Sequence, residues 1–334
     1  MKHFFLLTTL IVTMSITHSL AAQSNDLDSK PIEILGTLVF DQQKNCKLVA
    51  IDESPGRTME AGLFAATPPE TVKKHMPEGG APASISSFVL FTGEDTILFD
   101  TGNGGELWLK KLTELGVKPD SVKLILLTHM HGDHIGGLLT ENVTPKLMTE
   151  SGLQGSQARR FPNAKILCAK PEYEHWITSQ IKITEVEGVK QIDILRSKWS
   201  QQIAISMVYG GRDFTTFNFD DIVYENSELK IKAIDAMGHT PGHTAFLIEP
   251  KDEKKEKVLI IGDLLHAAAL QFPVPEACAR FDMDHEKAIA SRKRLLDFAA
   301  QGKIPIAGMH LPPPHIGTVK KNDQGGYVWE PLSK

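Results

Sequence analysis

Cysteine is scarce in this chain, with three in 334 residues, and that scarcity excludes a disulfide framework as the source of stability. Cys46, Cys168 and Cys278 make no C-x-x-C pair; spacing leaves open whether any two of them join, and all three read most simply as buried small hydrophobes. Basic charge is not in excess either: 36 Lys and Arg stand against 41 Asp and Glu, a net charge of -5. A nucleic-acid partner needs a basic patch, and none stands out, so nucleic acid is set aside. Apolar runs long enough to cross a bilayer are lacking, because Phe4 to Met14 is too short. Flanked by Met1-Lys2-His3 and Ser19-Leu20-Ala21-Ala22, that run reads as a signal peptide over residues 1–22. The expectation is a periplasmic or secreted protein with no stable membrane association after cleavage; an uncleaved anchor would leave the same domain outside the cytoplasm.

What the chain has is histidine in clusters. Val122 to Leu127 is a continuous apolar run of the kind that forms a strand buried on both faces, and His129-Met130-His131-Gly132-Asp133-His134 follows it at once. Side chains two apart in an extended segment share a face, so His129 and His131 can bind one ion while Asp133 and His134 turn toward a second. Downstream, the alternating stretch Leu229 to Ile234 leads into Gly238-His239-Thr240-Pro241-Gly242-His243. Val258 to Ile261 ends in Gly262-Asp263, and Ile304 to Met309 delivers His310. Upstream, Thr96 to Phe99 ends in Asp100, a carboxylate suited to orienting a ligand imidazole from behind.

Together these segments resemble the metallo-β-lactamase-fold hydrolase superfamily from about residue 30 to the C-terminus. The methyl parathion hydrolase-like branch is the nearest in pattern, through Gly238 to Thr244, Ala268-Ala269-Leu270-Gln271-Phe272 and His310-Leu311-Pro312. The resemblance implies that His129, His131 and His239 hold one zinc, that Asp133, His134 and His310 hold another, and that Asp263 bridges them. Imidazole and carboxylate donors without thiolate suit zinc and leave manganese, iron or cobalt open. Two such ions activate water and polarise the scissile bond, so no Ser or Cys nucleophile is required. The family pattern also gives Asp133 a proton to take during turnover.

Other residues divide into pocket candidates and packing. His243 is expected behind the ligands rather than among them. His266 either lines the substrate pocket or packs locally. Trp176 stands where the resembled branch has a pocket tryptophan, with a core role as the equal alternative, and Phe272 leans toward the pocket because it follows Asp263 closely. His315 replaces a glycine of the family's final loop, which puts the shape of that loop in question. His75, His175 and His285 sit in polar, helix-like stretches and are expected to be solvated.

Strand-like segments at Ile32 to Phe40, Lys47 to Ile51, Ser86 to Phe91 and Thr96 to Phe99 alternate with helix-like Pro69 to His75 and Gly105 to Leu115. A second half begins near Ser227 with three strands. It ends in a helix from His285 to Ala300, with Asp284 as N-cap, Gly302 just past its end, and Ala288, Ile289, Leu295, Leu296 and Ala299 as core. The expected fold is an α/β, four-layer αββα sandwich over residues 30–334. The expected function is an exported binuclear zinc hydrolase that cleaves a lactone, aryl ester or phosphotriester by attack of a metal-bridging hydroxide. Its partner would be a small, fairly apolar molecule, neutral in preference to carboxylated β-lactams because no arginine cluster adjoins Trp176 and Phe272. A β-lactamase-like amide hydrolase is the first alternative, disfavoured by Asp263, and a non-catalytic zinc-binding protein the second. The oligomeric state is open, a homodimer included.

Overall fold

Alternation along the strands decides what each face of the two sheets can bury. The computed structural model describes residues 36–140, 158–186, 189–194, 200–210 and 213–332, so the expected leader over 1–22 lies outside the described residues. The first sheet has seven strands in the order β1 (Thr37–Asp41), β2 (Cys46–Asp52), β5 (Ser86–Thr92), β6 (Thr96–Phe99), β7 (Val122–Leu126), β8 (Lys165–Ala169) and β11 (Phe214–Phe217). Its first four strands are antiparallel neighbours, and from β6 to β11 they run parallel. Two short ribbons stand apart, β3 (Thr58–Glu60) with β4 (Gly80–Pro82) and β9 (Ile181–Val186) with β10 (Val189–Ile194).

The second sheet also has seven strands, in chain order: β12 (Ile222–Glu225), β13 (Leu229–Asp235), β14 (Thr244–Pro250), β15 (Val258–Ile260), β16 (Ile306–Ala307), β17 (Ile316–Lys321) and β18 (Tyr327–Pro331). Only β15 and β16 are parallel, as expected for strands joined by a long helical crossover.

Successive residues of one strand go to different layers. In β5, Phe88 and Leu90 face the second sheet and pack with Ile231, Phe246, Ile248 and Ile260, whereas Val89 faces outward onto Trp108 and Leu112. Trp108 and Leu112 belong to α2 (Glu106–Glu114), which covers that outer face with α4 (Lys170–Trp176) and α5 (Ser200–Tyr209). On the far side, Leu247, Leu259 and Ile261 turn outward onto Leu295, Leu296 and Ala299 of α7 (His285–Gly302). The result is the αββα sandwich. The remaining helices are short: α1 (Pro69–His75), α3 (Gly132–Ile135) and α6 (Ala268–Gln271).

Helix α7 begins as its sequence indicates, with the Asp284 carboxylate accepting the Lys287 N–H at 3.1 Å. Its end differs. Gly302 is the last helical residue, and Lys303 takes the left-handed cap at φ 51°. Ile289 is half-buried, while the core side of the helix includes Arg292, which hydropathy alone places outside.

Phe246 joins the sheets, with its ring 5.5 Å from Phe99 and 5.8 Å from Phe217, both of the first sheet. Phe246→Ala removes these contacts from a fully buried site and should lower the unfolding free energy by about 3–5 kcal/mol, measured by urea titration. A loss below about 1 kcal/mol would mean that the sheets do not depend on this contact.

Candidate metal centre

Every element that ends at one edge of the sandwich contributes a polar side chain there. Asp100, just past β6, sits at the root of the loop after β7. Its Oδ1 accepts the Thr128 N–H at 2.8 Å, and its Oδ2 accepts the Thr128 hydroxyl at 2.7 Å and the His134 Nδ1–H at 2.7 Å. His131 is still extended, and helix α3 starts after it, so Asp133 and His134 leave the chain from a helical turn instead of an extended strand. The turn between β13 and β14 supplies His239 and His243. The ends of β15 and β16 supply Asp263 and His310.

These side chains converge as two groups. His129 Nε2 lies 3.0 Å from His131 Nδ1, which lies 2.9 Å from His239 Nε2. With Asp263 they form one donor cluster, while Asp133, His134 and His310 form a second. Asp263 touches both, its Oδ2 being 3.3 Å from His239 Nε2 and its Oδ1 3.1 Å from His134 Nε2. His310 Nε2 is 3.1 Å from Oδ2.

Hydrogen bonds on the outer side of the rings set which nitrogen is free. Nδ1–H of His134 donates to Asp100, that of His239 to Asp282 at 2.9 Å, and that of His310 to the Ser84 carbonyl at 2.8 Å. The Thr128 hydroxyl, having donated to Asp100, accepts from His129 Nδ1–H at 3.0 Å. In all four rings, Nε2 is therefore the nitrogen turned inward, the one left to ligate a metal. Buried His134 Nε2 and Asp263 Oδ1 have no hydrogen-bond partner, and a divalent cation would satisfy both. The residues fit zinc-type metals by donor chemistry and by these inward-facing atoms.

Charge agrees with this reading. Burial pushes His239 down to about 3 and His131 down to about 4, so both are neutral and able to ligate at pH 7. For His134 and His310 burial acts the same way but is outweighed by the carboxylates of Asp263 and Asp133, and the result is a raised pKa. Burial likewise pushes the Asp263 carboxyl up, yet His134, His310 and His129 hold it well below the usual carboxylate range. Cations compete for the place these protons take.

A set of supports behind the cluster is absent from the sequence motifs. Asp282 holds His239 and is itself held by the Ala279 N–H at 3.2 Å and the Arg292 guanidinium at 3.3 Å. Arg292, buried in α7, gives its remaining protons to the carbonyls of Leu264, Pro275 and Ala277. Glu172 is fully buried and accepts from Met130 N–H, Trp176 Nε1–H, the Thr240 hydroxyl and Gly242 N–H at 2.6–2.9 Å. His243 sits behind the donors, where its Nδ1–H donates to the Ala236 carbonyl and its Nε2 accepts the Asp263 N–H, both at 2.9 Å. Gly262 must lack a side chain at this point, because a Cβ there would stand 2.5 Å from His243 Nε2.

The cluster opens on a cleft of about 290 Å³ whose walls include Arg57, Met59, Leu63, His266 and Phe281. His266 lines it, with its ring stacked on His310 at 5.2 Å and Nε2 3.2 Å from Asp263. Two expectations need correction. Trp176 does not reach the cleft: it is fully buried in the outer core of the first sheet, edge-on to His131 at 5.5 Å, with its N–H given to Glu172. Phe272 packs beneath the second sheet, parallel to Trp329 at 6.0 Å, because α6 turns it away from Asp263. Phe281 supplies the aromatic wall instead, and Arg57 brings a cation that the sequence patterns did not place. His315 takes the left-handed conformation, φ 68°, that its replaced glycine would favour; its ring is buried against the Leu311 carbonyl, away from the cleft. Of the three histidines expected in solvent, His285 is exposed and His75 and His175 are half-buried.

Asp282→Asn should weaken zinc binding by about 10–100-fold, because His239 loses the carboxylate that fixes its ring. Competition with a chromophoric chelator measures this, and unchanged affinity would remove Asp282 from the metal centre.

Residues 80–140 match the profile of the Metallo-beta-lactamase superfamily. Among curated proteins, the chain is 39% identical over 66 residues to the lactamase-like protein nscB of Neosartorya fischeri, and 37% identical over 75 residues to the lactamase-like protein adaB of Aspergillus niger. These matches cover 18% and 21% of this chain and span only about a fifth of the relatives, 20% and 23% respectively. Among solved structures, the hydrolase AbOPH of the β-lactamase superfamily superposes with a TM-score of 0.69 at 23% identity, covering 91% of this chain and 99% of that one. AidC, a dizinc quorum-quenching lactonase in complex with an N-acyl-homoserine product, gives the same score, identity and coverage. The chain thus matches the profile of that superfamily over residues 80–140 and has the fold of these hydrolases.

Proposed function

We propose that the protein is an exported, binuclear zinc hydrolase that cleaves an ester-like bond, whether lactone, aryl ester or phosphotriester, in a small molecule. One observation carries the reading: Asp263 stands between the two donor sets at the floor of an open cleft, its Oδ1 beside His134 and its Oδ2 beside His129, His239 and His310. A purely structural zinc site is closed by four protein ligands, whereas this cluster borders a space large enough for a substrate. The lactonase among the solved structures of like fold supports the ester class.

His129, His131 and His239 would hold one ion, Asp133, His134 and His310 the other, with Asp263 between them. Bound there, divalent ions supply Lewis acidity and lower the pKa of water from about 15.7 toward about 7. The chain's own residues do the rest. Outward Nδ1–H bonds fix the direction of four of the imidazoles and leave Nε2 to face the ions. Asp133, 31% exposed, is with His131 one of the two partly exposed donors, and its carboxylate is in place to take a proton from the reacting centre. Burial raises its pKa, but His134 and His310 bring the net shift down, so it is ionised at neutral pH. Among the described residues no Ser, Thr, Tyr or Cys lines the cleft; the three cysteines are buried, and the Ser84 hydroxyl is committed to the carbonyls of Met309 and Leu311. The amide-hydrolase alternative gains nothing specific from the geometry.

Reconstituted protein should carry about two zinc ions per chain by elemental analysis, and removing them with chelator should abolish hydrolysis. A single tightly held ion would sink the binuclear reading. Asp263→Asn should cut kcat at saturating zinc by at least the roughly 100-fold reached by changes behind a metal ligand. Near-normal turnover would show that Asp263 is no bridge. A panel of lactones, aryl esters, phosphotriesters and β-lactams separates the substrate classes, and β-lactams as the best substrates would favour the alternative.

A further inference from the structure

The arginines of the described residues fall into two groups. Arg159 pairs with Asp213, Arg160 donates to the Leu139 carbonyl, Arg292 is held by Asp282, and Arg294 donates to the Asp235 carbonyl. Arg57 and Arg280 have neither an ion pair nor a side-chain hydrogen bond among the described residues. Arg57 is in the wall of the metal cleft, and Arg280 adjoins a residue of that wall, its guanidinium 5.4 Å over the ring of Phe281.

Arg57 is also well placed by its backbone. Its N–H donates to the Ser54 carbonyl at 3.0 Å and its carbonyl accepts the Ala83 N–H at 3.0 Å, just where β3 begins its pairing with β4. Its root is fixed while its charged end is free. The carboxylates of the cleft, Asp133 and Asp263, are both engaged by imidazoles, and the other walls near Arg57 are the apolar Met59, Leu63 and Phe281. A guanidinium with five donors, rooted at the start of β3 and lining a cleft whose carboxylates are engaged by imidazoles, is suited to a planar oxyanion.

We propose that Arg57 is a specificity-determining residue that binds a carboxylate on the substrate, at the end remote from the scissile ester, with Arg280 adding positive charge at the rim. This rests on the ester-hydrolase reading and refines it. The substrate then has three parts: an ester facing the imidazole cluster, a short apolar span against Met59, Leu63 and Phe281, and an anionic end at Arg57. It also reverses the preference for neutral molecules drawn from the sequence, which rested on Trp176 and Phe272 as the walls.

The test compares 4-nitrophenyl hydrogen glutarate with its neutral methyl ester on the zinc-loaded protein. Acyl length and leaving group are the same; the carboxylate of the acid also assists cleavage of its own ester, so each rate is taken after subtraction of that substrate's uncatalysed hydrolysis. The ratio of kcat/KM for the acid over the ester should exceed one and should fall with rising salt. Arg57→Gln should lower that ratio about tenfold, mainly through KM, and Arg57→Lys should restore part of it. An unmoved ratio in Arg57→Gln, or equal losses for both substrates, would overturn the proposal. Calorimetric binding of glutarate against butyrate supplies a readout independent of turnover. If neither ester is hydrolysed but wild-type protein selects glutarate and Arg57→Gln does not, the anion site stands and the ester-hydrolase reading falls. If esters are hydrolysed and glutarate has no advantage over butyrate, the anion site falls alone.

Discussion

A single buried carboxylate ties together two histidine loops that belong to different sheets. Glu172, on α4, takes the Met130 N–H from the loop after β7 and both the Thr240 hydroxyl and Gly242 N–H from the turn between β13 and β14. Taking a carboxylate out of water is costly, and burial raises its pKa; four donors around it offset that cost and draw the pKa back. Gly242 is pressed against the Glu172 backbone with no room for a side chain. The two loops are joined directly as well, by the Thr244 N–H donating to the Thr128 carbonyl at 2.9 Å. Without this junction, His129 and His131 would be placed by one sheet and His239 by the other, their separation left to the packing between the sheets.

The cluster that results is arranged before any ligand arrives. Four of the five rings are fixed from behind, each by a different partner: the Asp100 carboxylate just past β6, the Asp282 carboxylate, the Thr128 hydroxyl or the Ser84 carbonyl. Rings so held lose little freedom when they coordinate, which is how a folded scaffold converts stability into affinity. The same arrangement concentrates five imidazoles and two carboxylates in a space with little water, a combination that is stable only if charge is shared closely among them.

Much of this was legible in the sequence, and the limits of legibility have a physical pattern. Strand ends announce themselves because a buried parallel strand is a continuous apolar run, and the residues that follow it emerge together at one edge; hence Asp100, His129 to His134, His239, Asp263 and His310 could be named. Glu172, Asp282 and Arg292 could not, because each is one polar residue in an ordinary helical or loop context and its partners lie far along the chain. Arg292 even reads as surface, since buried arginine is rare until its carbonyl partners are seen. The aromatic walls were misjudged for a related reason. Nearness in sequence to a ligand does not set direction: α4 points Trp176 into the core and α6 points Phe272 under the second sheet, while Phe281, 18 residues beyond Asp263, reaches the cleft.

Phe281, Asp282 and Met283 face alternate ways in consecutive positions. The outer two are 38% and 44% exposed, Phe281 in the wall of the cleft, and the middle one is buried against His239. The backbone of this segment is also stitched to the histidine turn, with Met283 N–H donating to the His239 carbonyl at 3.2 Å. The rim is the part of the cleft most open to change, since it carries no ligand. Yet any shift there is transmitted within one residue to the carboxylate that aims His239. Along this segment, evolution cannot broaden the range of molecules admitted without also adjusting how firmly the ions are retained.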